Sequence, residues 1–341
     1  MIIQNDFSVY HERLKGTGIQ VASTDTEIKF TVDSFLKFDT LVSILHEIKN
    51  EVNFTSYFFY RGVNNEAYKL RSSLRVNYLE NFEDELINEM YNKCPAEFSS
   101  CKSDFEMIAK MQHYGLPTRF IDFTKNPYVS LWFACQKNEN IKNDTNGLIY
   151  LDDCAILMAH SMIKIITKII MESPSESAEN FFYNHFSYTE RKDYLDLLLA
   201  SDARFYFEPP KLDTREINQQ SIFLAECNGI ARLYKDENGN IIKTKKLSTS
   251  EIAQIRNNEL KTPLEDSSKT LCFDEILDIE NFNNSPMKKI IILKEAKKKI
   301  LQELFYRGIK ESFLFPTLNN TANEIKCDYK NQFLESGEEY E

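Results

Sequence analysis

Strand-like and helix-like patterns follow one another along this chain without regular alternation. That order predicts an α+β fold: a single globular domain whose mixed or antiparallel sheet core is flanked by helices. No repeat period and no low-complexity linker divides the 341 residues, and only 9 Gly and 9 Pro are present, which favours one domain over several. Apolar residues make up 42% of the chain, 25 Phe and 17 Tyr among them, enough for one large core.

Residues 1–33 are mixed and polar and read as an irregular or short-stranded lead-in, 34–327 as the domain proper, and 328–341 as an acidic polar tail. From Ser34, an N-cap residue type, apolar side chains recur at helical spacing: Phe35, Phe38, Leu41, Val42, Leu45 and Ile48. The aromatic run "NFTSYFFYRG" reads as a buried strand ending at Gly62, and residues 82–93 read as a helix. Ser103 followed by Glu106 is a capping box that starts the next helix, and Gly115 then Pro117 stop it. "TRFIDF" is extended. Asn126 then Pro127 open a second helix, apolar nearly all round and therefore buried. "GLIYL" at 147–151 reads as a strand, 155–172 and 190–200 as helices around a Ser/Glu-rich break. "SIFLAECNGIARLY" reads as strand, turn at Asn228-Gly229 and strand; the segment from Lys288 reads as a strand, then a helix closed by Gly308.

Composition excludes several classes. A net charge of -11 argues against a duplex nucleic-acid surface, and "KEAKKKILQ" at 294–302 reads as a solvated helix face. The seven Cys follow no metal or disulfide spacing, so no metal is expected. The N-terminus lacks a signal-peptide pattern and no apolar run is long enough to span a bilayer. A soluble cytoplasmic protein without a membrane partner is the expectation. The phosphate-cradling, dinucleotide-binding, zinc-protease and nucleophile-elbow motifs are all absent.

Polar residues gather instead at the joints of the apolar elements. His113 sits in the last turn of its helix, where a cation complements the carbonyl end of the helix dipole. Arg119 and Asp122 flank two apolar residues, either as an ion pair or as ligand contacts. Arg61 ends a buried strand and needs an acceptor, an internal carboxylate such as Asp122 or an anionic ligand. In "TREINQQSIF", Gln219 and Gln220 stand at the mouth of an apolar strand with Arg215 upstream, either bonding a ligand amide or tying a neighbouring loop.

The segments "YFFYRG", "KLRSSLR", "MQHYGLPTRFIDFTKNPYVSLWFACQ", "REINQQSIF" and "ILQELFYRGIKESFLFPTLNN" occur in the order seen in the FRG domain family, which this chain resembles over roughly residues 35–325. The family is named for a Phe/Tyr-Arg-Gly motif. Two positions depart from its pattern: Ser221, where Gly is common, and Phe123, where Trp is often found. The resemblance implies one constellation: His113, Asp122 and Gln220 as catalytic residues, with Arg61, Gly62, Ser73, Arg75, Arg119, Arg215 and Gln219 binding the ligand. It also implies a remote likeness to ADP-ribosyltransferases, with NAD as substrate, and a place among accessory or toxin-type proteins of bacterial antiviral defence. On that reading Arg61 and Arg119 hold the pyrophosphate, while the glutamines cannot supply the anion that the ribosyl cation needs. The alternative is a recognition module without chemistry, binding a nucleotide, a phosphate-bearing small molecule or an acidic peptide. A nuclease comes third.

Overall fold

The computed structural model describes residues 7–24, 27–51, 57–79, 82–137, 144–157, 163, 167, 205–211, 214–225, 231–235, 241–243, 269–272 and 287–326. Helix α1 (Ser8–Arg13) precedes β1 (Gln20–Ser23), β2 (Ile28–Val32), α2 (Phe35–Glu51) and β3 (Tyr57–Val63). Next come α3 (Ser73–Val76), α4 (Glu83–Lys93), α5 (Pro95–Phe98), α6 (Asp104–His113), β4 (Phe120–Thr124), α7 (Pro127–Cys135) and β5 (Gly147–Leu157). Then follow β6 (Phe205–Phe207), α8 (Thr214–Gln219), β7 (Ser221–Ala225), β8 (Ala231–Lys235), β9 (Ile241–Lys243), β10 (Lys269–Cys272), β11 (Lys288–Ile292), α9 (Lys297–Tyr306) and α10 (Glu311–Leu314). The α+β expectation holds.

Eight strands form one mixed sheet in the order β1-β2-β11-β5-β3-β4-β7-β6, and a further β5–β6 pairing joins its far edge back to its middle. The strands β5, β3, β4, β7 and β6 therefore close into a ring, each paired with two others of the five. The length of β5 allows this: its first part pairs with β11 and β3, while Ile156 and Leu157 pair in parallel with Phe205 and Tyr206. Strand alternation sorts the side chains into two cores. Phe59, Ile121, Phe123, Tyr150, Tyr206, Ile222 and Leu224 pack on one face; Phe58, Tyr60, Ile149, Leu151, Ile290 and Ile292 pack on the other with α2, α7 and α9.

Helix α7 comes closer to the sheet than any side chain would permit. A Cβ placed on Gly62 would lie 1.8 Å from the Ser130 carbonyl oxygen, and one on Gly147 would lie 2.2 Å from that of Ala134. Two glycines on neighbouring strands thus make a bare floor for the helix. Leu131, Ala134 and Cys135 are sealed beneath it, and burial pushes the Cys135 thiol up to about 12.

The short strands expected within 1–33 are present and join the main sheet, where β2 pairs in parallel with β11 and its alternating Ile28, Phe30 and Val32 enter the core. The two strands read on either side of 228–229 are present, β7 in the main sheet and β8 in a separate three-stranded sheet, β10-β8-β9. Two expectations need correction. Residues 155–157 continue β5 rather than open a helix, because β3 and β6 offer them pairing partners. Strand β3 runs one residue past Gly62, to Val63. Apart from the helical Ile163 and Thr167, the helices expected within 158–172 and 190–200 lie outside the described residues, as do the Asn228-Gly229 turn and the tail at 328–341. Among the described residues no helix is long and apolar enough to cross a membrane.

Candidate functional site

The joint between α6 and α7 is built as its sequence predicts. Ser103 Oγ accepts the Glu106 N–H at 3.2 Å, and the Glu106 carboxylate accepts the Lys102 N–H at 2.7 Å. Gly115 ends the helix with φ +92°, a left-handed conformation that glycine adopts without strain. Asn126 Oδ1 accepts the Tyr128 N–H at 2.9 Å and starts α7 ahead of Pro127.

Between these helices a chain of hydrogen bonds ties the polar joints together. Ser73 Oγ on α3 accepts the Thr118 N–H at 3.2 Å. The buried Thr118 hydroxyl donates to Gln112 Oε1, and Gln112 Nε2 donates to the Asp122 carboxylate at 2.8 Å. Sequence reasoning passed over Gln112 and Thr118. The available signal was an amide on the same helical face as Phe105, Ile108 and Ala109, where a polar group must find a partner.

Arginine partners differ from those anticipated. Arg119 does not pair with Asp122; its Nε donates to Glu83 Oε2 at 2.7 Å, its Nη2 bonds the same oxygen, and its backbone N–H reaches Glu83 Oε1. Glu83 is only 3% exposed, so the pair fixes α4 to the start of β4 from inside. Arg61 Nη1 donates at 2.6 Å to the backbone carbonyl of Asp122, not to its carboxylate. Strands β3 and β4 pair only at Tyr60 and Thr124, so the guanidinium supplies a donor where the ladder lapses. Burial lowers the Arg61 pKa, with Asp122 and Tyr150 opposing, yet a guanidinium stays charged at any ordinary pH. By strand alternation Arg61 lies on the face opposite Gly62, and Gly62 is covered by α7.

The two glutamines also part company. Gln219 Nε2 donates to the Leu314 carbonyl at 3.0 Å and Asn218 Nδ2 to the Phe313 carbonyl at 2.6 Å, so together they tie down the C-terminal α10. Gln220 takes φ +48°, ends α8 and is exposed. It lines a small cleft with Lys125, Ser221, Ile217 and the ion-paired Glu208. Its carbonyl accepts the Lys125 N–H at 3.1 Å, and the Gln219 carbonyl accepts the Thr124 hydroxyl at 2.6 Å.

The expected single constellation is therefore several places. Arg61 sits on one face of the sheet; Ser73 and Asp122 belong to the hydrogen-bonded chain, with Arg75 half-buried on α3. His113 and Arg215 converge on an open cleft of about 200 Å³, lined also by Thr214, Phe315, Pro316 and Thr317. Arg215 Cζ stands 4.7 Å from the Phe315 ring centroid. Among the described residues no group of three or more His, Cys, Asp or Glu is placed to hold a metal ion. What this cleft offers is N–H and hydroxyl donors beside an aromatic wall.

No curated protein and no solved structure matches the chain. Residues 56–143, which include β3, α6, β4 and α7 with the polar joints between them, match the family model of the FRG domain, so the chain carries an FRG domain.

Proposed function

We propose that this protein is a recognition module that holds a phosphate-bearing ligand in the cleft between His113 and Arg215, with NAD the first ligand to test. One observation carries the reading. Segments far apart in sequence, the end of α6, the start of α8 and the stretch after α10, bring His113, Arg215, Thr214 and Thr317 to the lining of one open concavity. An imidazole has at least one N–H donor in either protonation state, and a guanidinium has five with a permanent charge. Such a set suits phosphate oxygens. The cleft is below the ~300–1,000 Å³ usual for a whole drug-sized ligand, so it takes the phosphate end of a larger molecule.

NAD cleavage in the manner of ADP-ribosyltransferases is the second reading. It is favoured by the register Tyr60–Thr124–Ser221, which brings Arg61, Thr124 and Gln220 each within one residue of a common row across three adjacent strands. Against it, Arg119 is occupied by Glu83, Gln219 by Leu314, and Arg61 lies on the opposite face from Thr124. The test is titration calorimetry of the protein with NAD and with ADP-ribose, beside Arg215→Ala and Arg61→Ala and with free nicotinamide assayed in the same samples. Binding that needs Arg215, with no nicotinamide released, supports recognition. Release that needs Arg61 supports cleavage. No binding and no release sinks both.

A further inference from the structure

The cleft has an aromatic wall, and that wall is held more firmly than phosphate binding alone would require. Phe315 packs against Trp132 and Phe133 of α7, with ring centroids 5.9 and 6.1 Å away. Its carbonyl accepts from the Thr317 N–H at 2.8 Å and from Asn320 Nδ2 at 2.9 Å. The segment that leads to it is tied to α8 by Asn218 and Gln219. Asn218 stands three residues after Arg215, on the same side of that helix. The helical face that presents the guanidinium therefore also anchors the segment that presents the ring.

Arg215 lies over Phe315 at a cation–π distance. A guanidinium is flat, and flat cations of this kind stack on nucleobases as well as on protein rings. The phosphate donors His113, Thr214 and Thr317 line the same small space.

We infer that the Arg215–Phe315 pair is a base-stacking platform, so that the cleft selects a mononucleotide unit, a planar base joined through ribose to phosphate, over a phosphate that lacks a ring. The inference rests on the phosphate-binding reading above and adds to it the chemical class of the ligand. It also gives a role to a residue well outside the matched 56–143 segment. Base-bearing and base-free phosphates are thereby distinguished by one side-chain pair.

The test is calorimetric titration of the full chain with AMP, ribose 5-phosphate and inorganic pyrophosphate. The variants are Arg215→Lys, which keeps the charge but loses the plane, and His113→Ala, each first shown to be folded by circular dichroism and melting temperature. AMP is expected to bind at least about tenfold more tightly than ribose 5-phosphate, a ratio worth ~1.4 kcal/mol. Arg215→Lys should collapse that ratio towards one, and His113→Ala should weaken both ligands together and leave the ratio standing. Equal affinity for AMP and ribose 5-phosphate in the unaltered protein overturns the platform while leaving phosphate recognition intact. So does a ratio that survives Arg215→Lys. Failure of all three probes to bind overturns the phosphate reading and the platform with it.

Discussion

Replacing Gly62 by Ala tests whether this glycine serves the helix or a ligand. The new Cβ would stand 1.8 Å from the Ser130 carbonyl oxygen, 2.7 Å from the Ser130 carbonyl carbon and 2.9 Å from the Ala134 nitrogen. Non-bonded carbon atoms settle at about 3.5–4.0 Å, so α7 would have to retreat by roughly 1.5–2 Å. The obstructing atoms are helix backbone, and no rotamer change relieves them. A gap of even 0.5–1 Å forfeits about a quarter to a half of a contact's attraction, so Leu131, Ala134 and Cys135 would lose most of their packing on the sheet. At about 1.5–3 kcal/mol for each large side chain loosened, the expected loss is about 3–5 kcal/mol. That is a large part of the ~5–15 kcal/mol a folded protein usually has. Trp132, the single tryptophan, rides on α7 and reports the movement directly. Urea unfolding followed by its fluorescence should show the midpoint lowered by about 1–2 M, with native emission shifted to the red. A Gly62→Ala variant with unchanged midpoint and emission would refute the steric argument and return Gly62 to the ligand-binding candidates.

Breaking the Glu83–Arg119 pair by Glu83→Ala should cost about 1.5–3 kcal/mol, because the part-buried guanidinium loses its side-chain bonds to the carboxylate. The Glu83→Ala/Arg119→Ala double variant should lose clearly less than the sum of the two singles, measured by urea midpoints; strict additivity would mean that the pair is not coupled. Cys135 should resist iodoacetamide at pH 8 in the native protein and react only on unfolding, whereas the exposed Cys94 is alkylated without unfolding, as peptide mass spectrometry would show. Tyr128 donates its hydroxyl to Asp39 at 2.5 Å, and that bond, with desolvation behind it, raises the phenol to about 12. A raised folded-state pKa means that this contribution to stability is complete below the ordinary tyrosine value near 10 and is lost as pH climbs towards 12. Tyr128→Phe should therefore flatten stability against pH in that window, and an unchanged alkaline slope would count against the bond.

Local chemistry was the legible part of this chain. Ser103, Gly115, Asn126 and Pro127 each act within a few residues of themselves, so their reading needed no knowledge of the rest of the fold. Pairing across long distances was not legible. Val32 and Ile292 are neighbours in the sheet although most of the chain separates them, and no periodicity announces that. The same limit explains Arg119. Asp122, three residues on, looked like its partner, but three steps along a strand reverse the side-chain direction, and Glu83 arrives from another helix. Gly62 had the right importance attached to the wrong cause, because a sequence shows that a side chain is missing and not what stands in its place.

The closed ring of strands has a consequence for how the chain comes into being. Strands β3 and β4 are synthesised early, while β5, β6 and β7, which complete the ring, come later; the last of them ends at Ala225. Until then Phe59, Ile121 and Phe123 have no interior to enter. A nascent chain emerging at about 5–20 residues per second carries that apolar surface for several seconds. A fragment cut to residues 56–143 would carry it permanently, since three of the five ring strands lie beyond its end. The matched segment is thus a stretch of inheritance rather than a unit of folding, and the protein should be handled at full length.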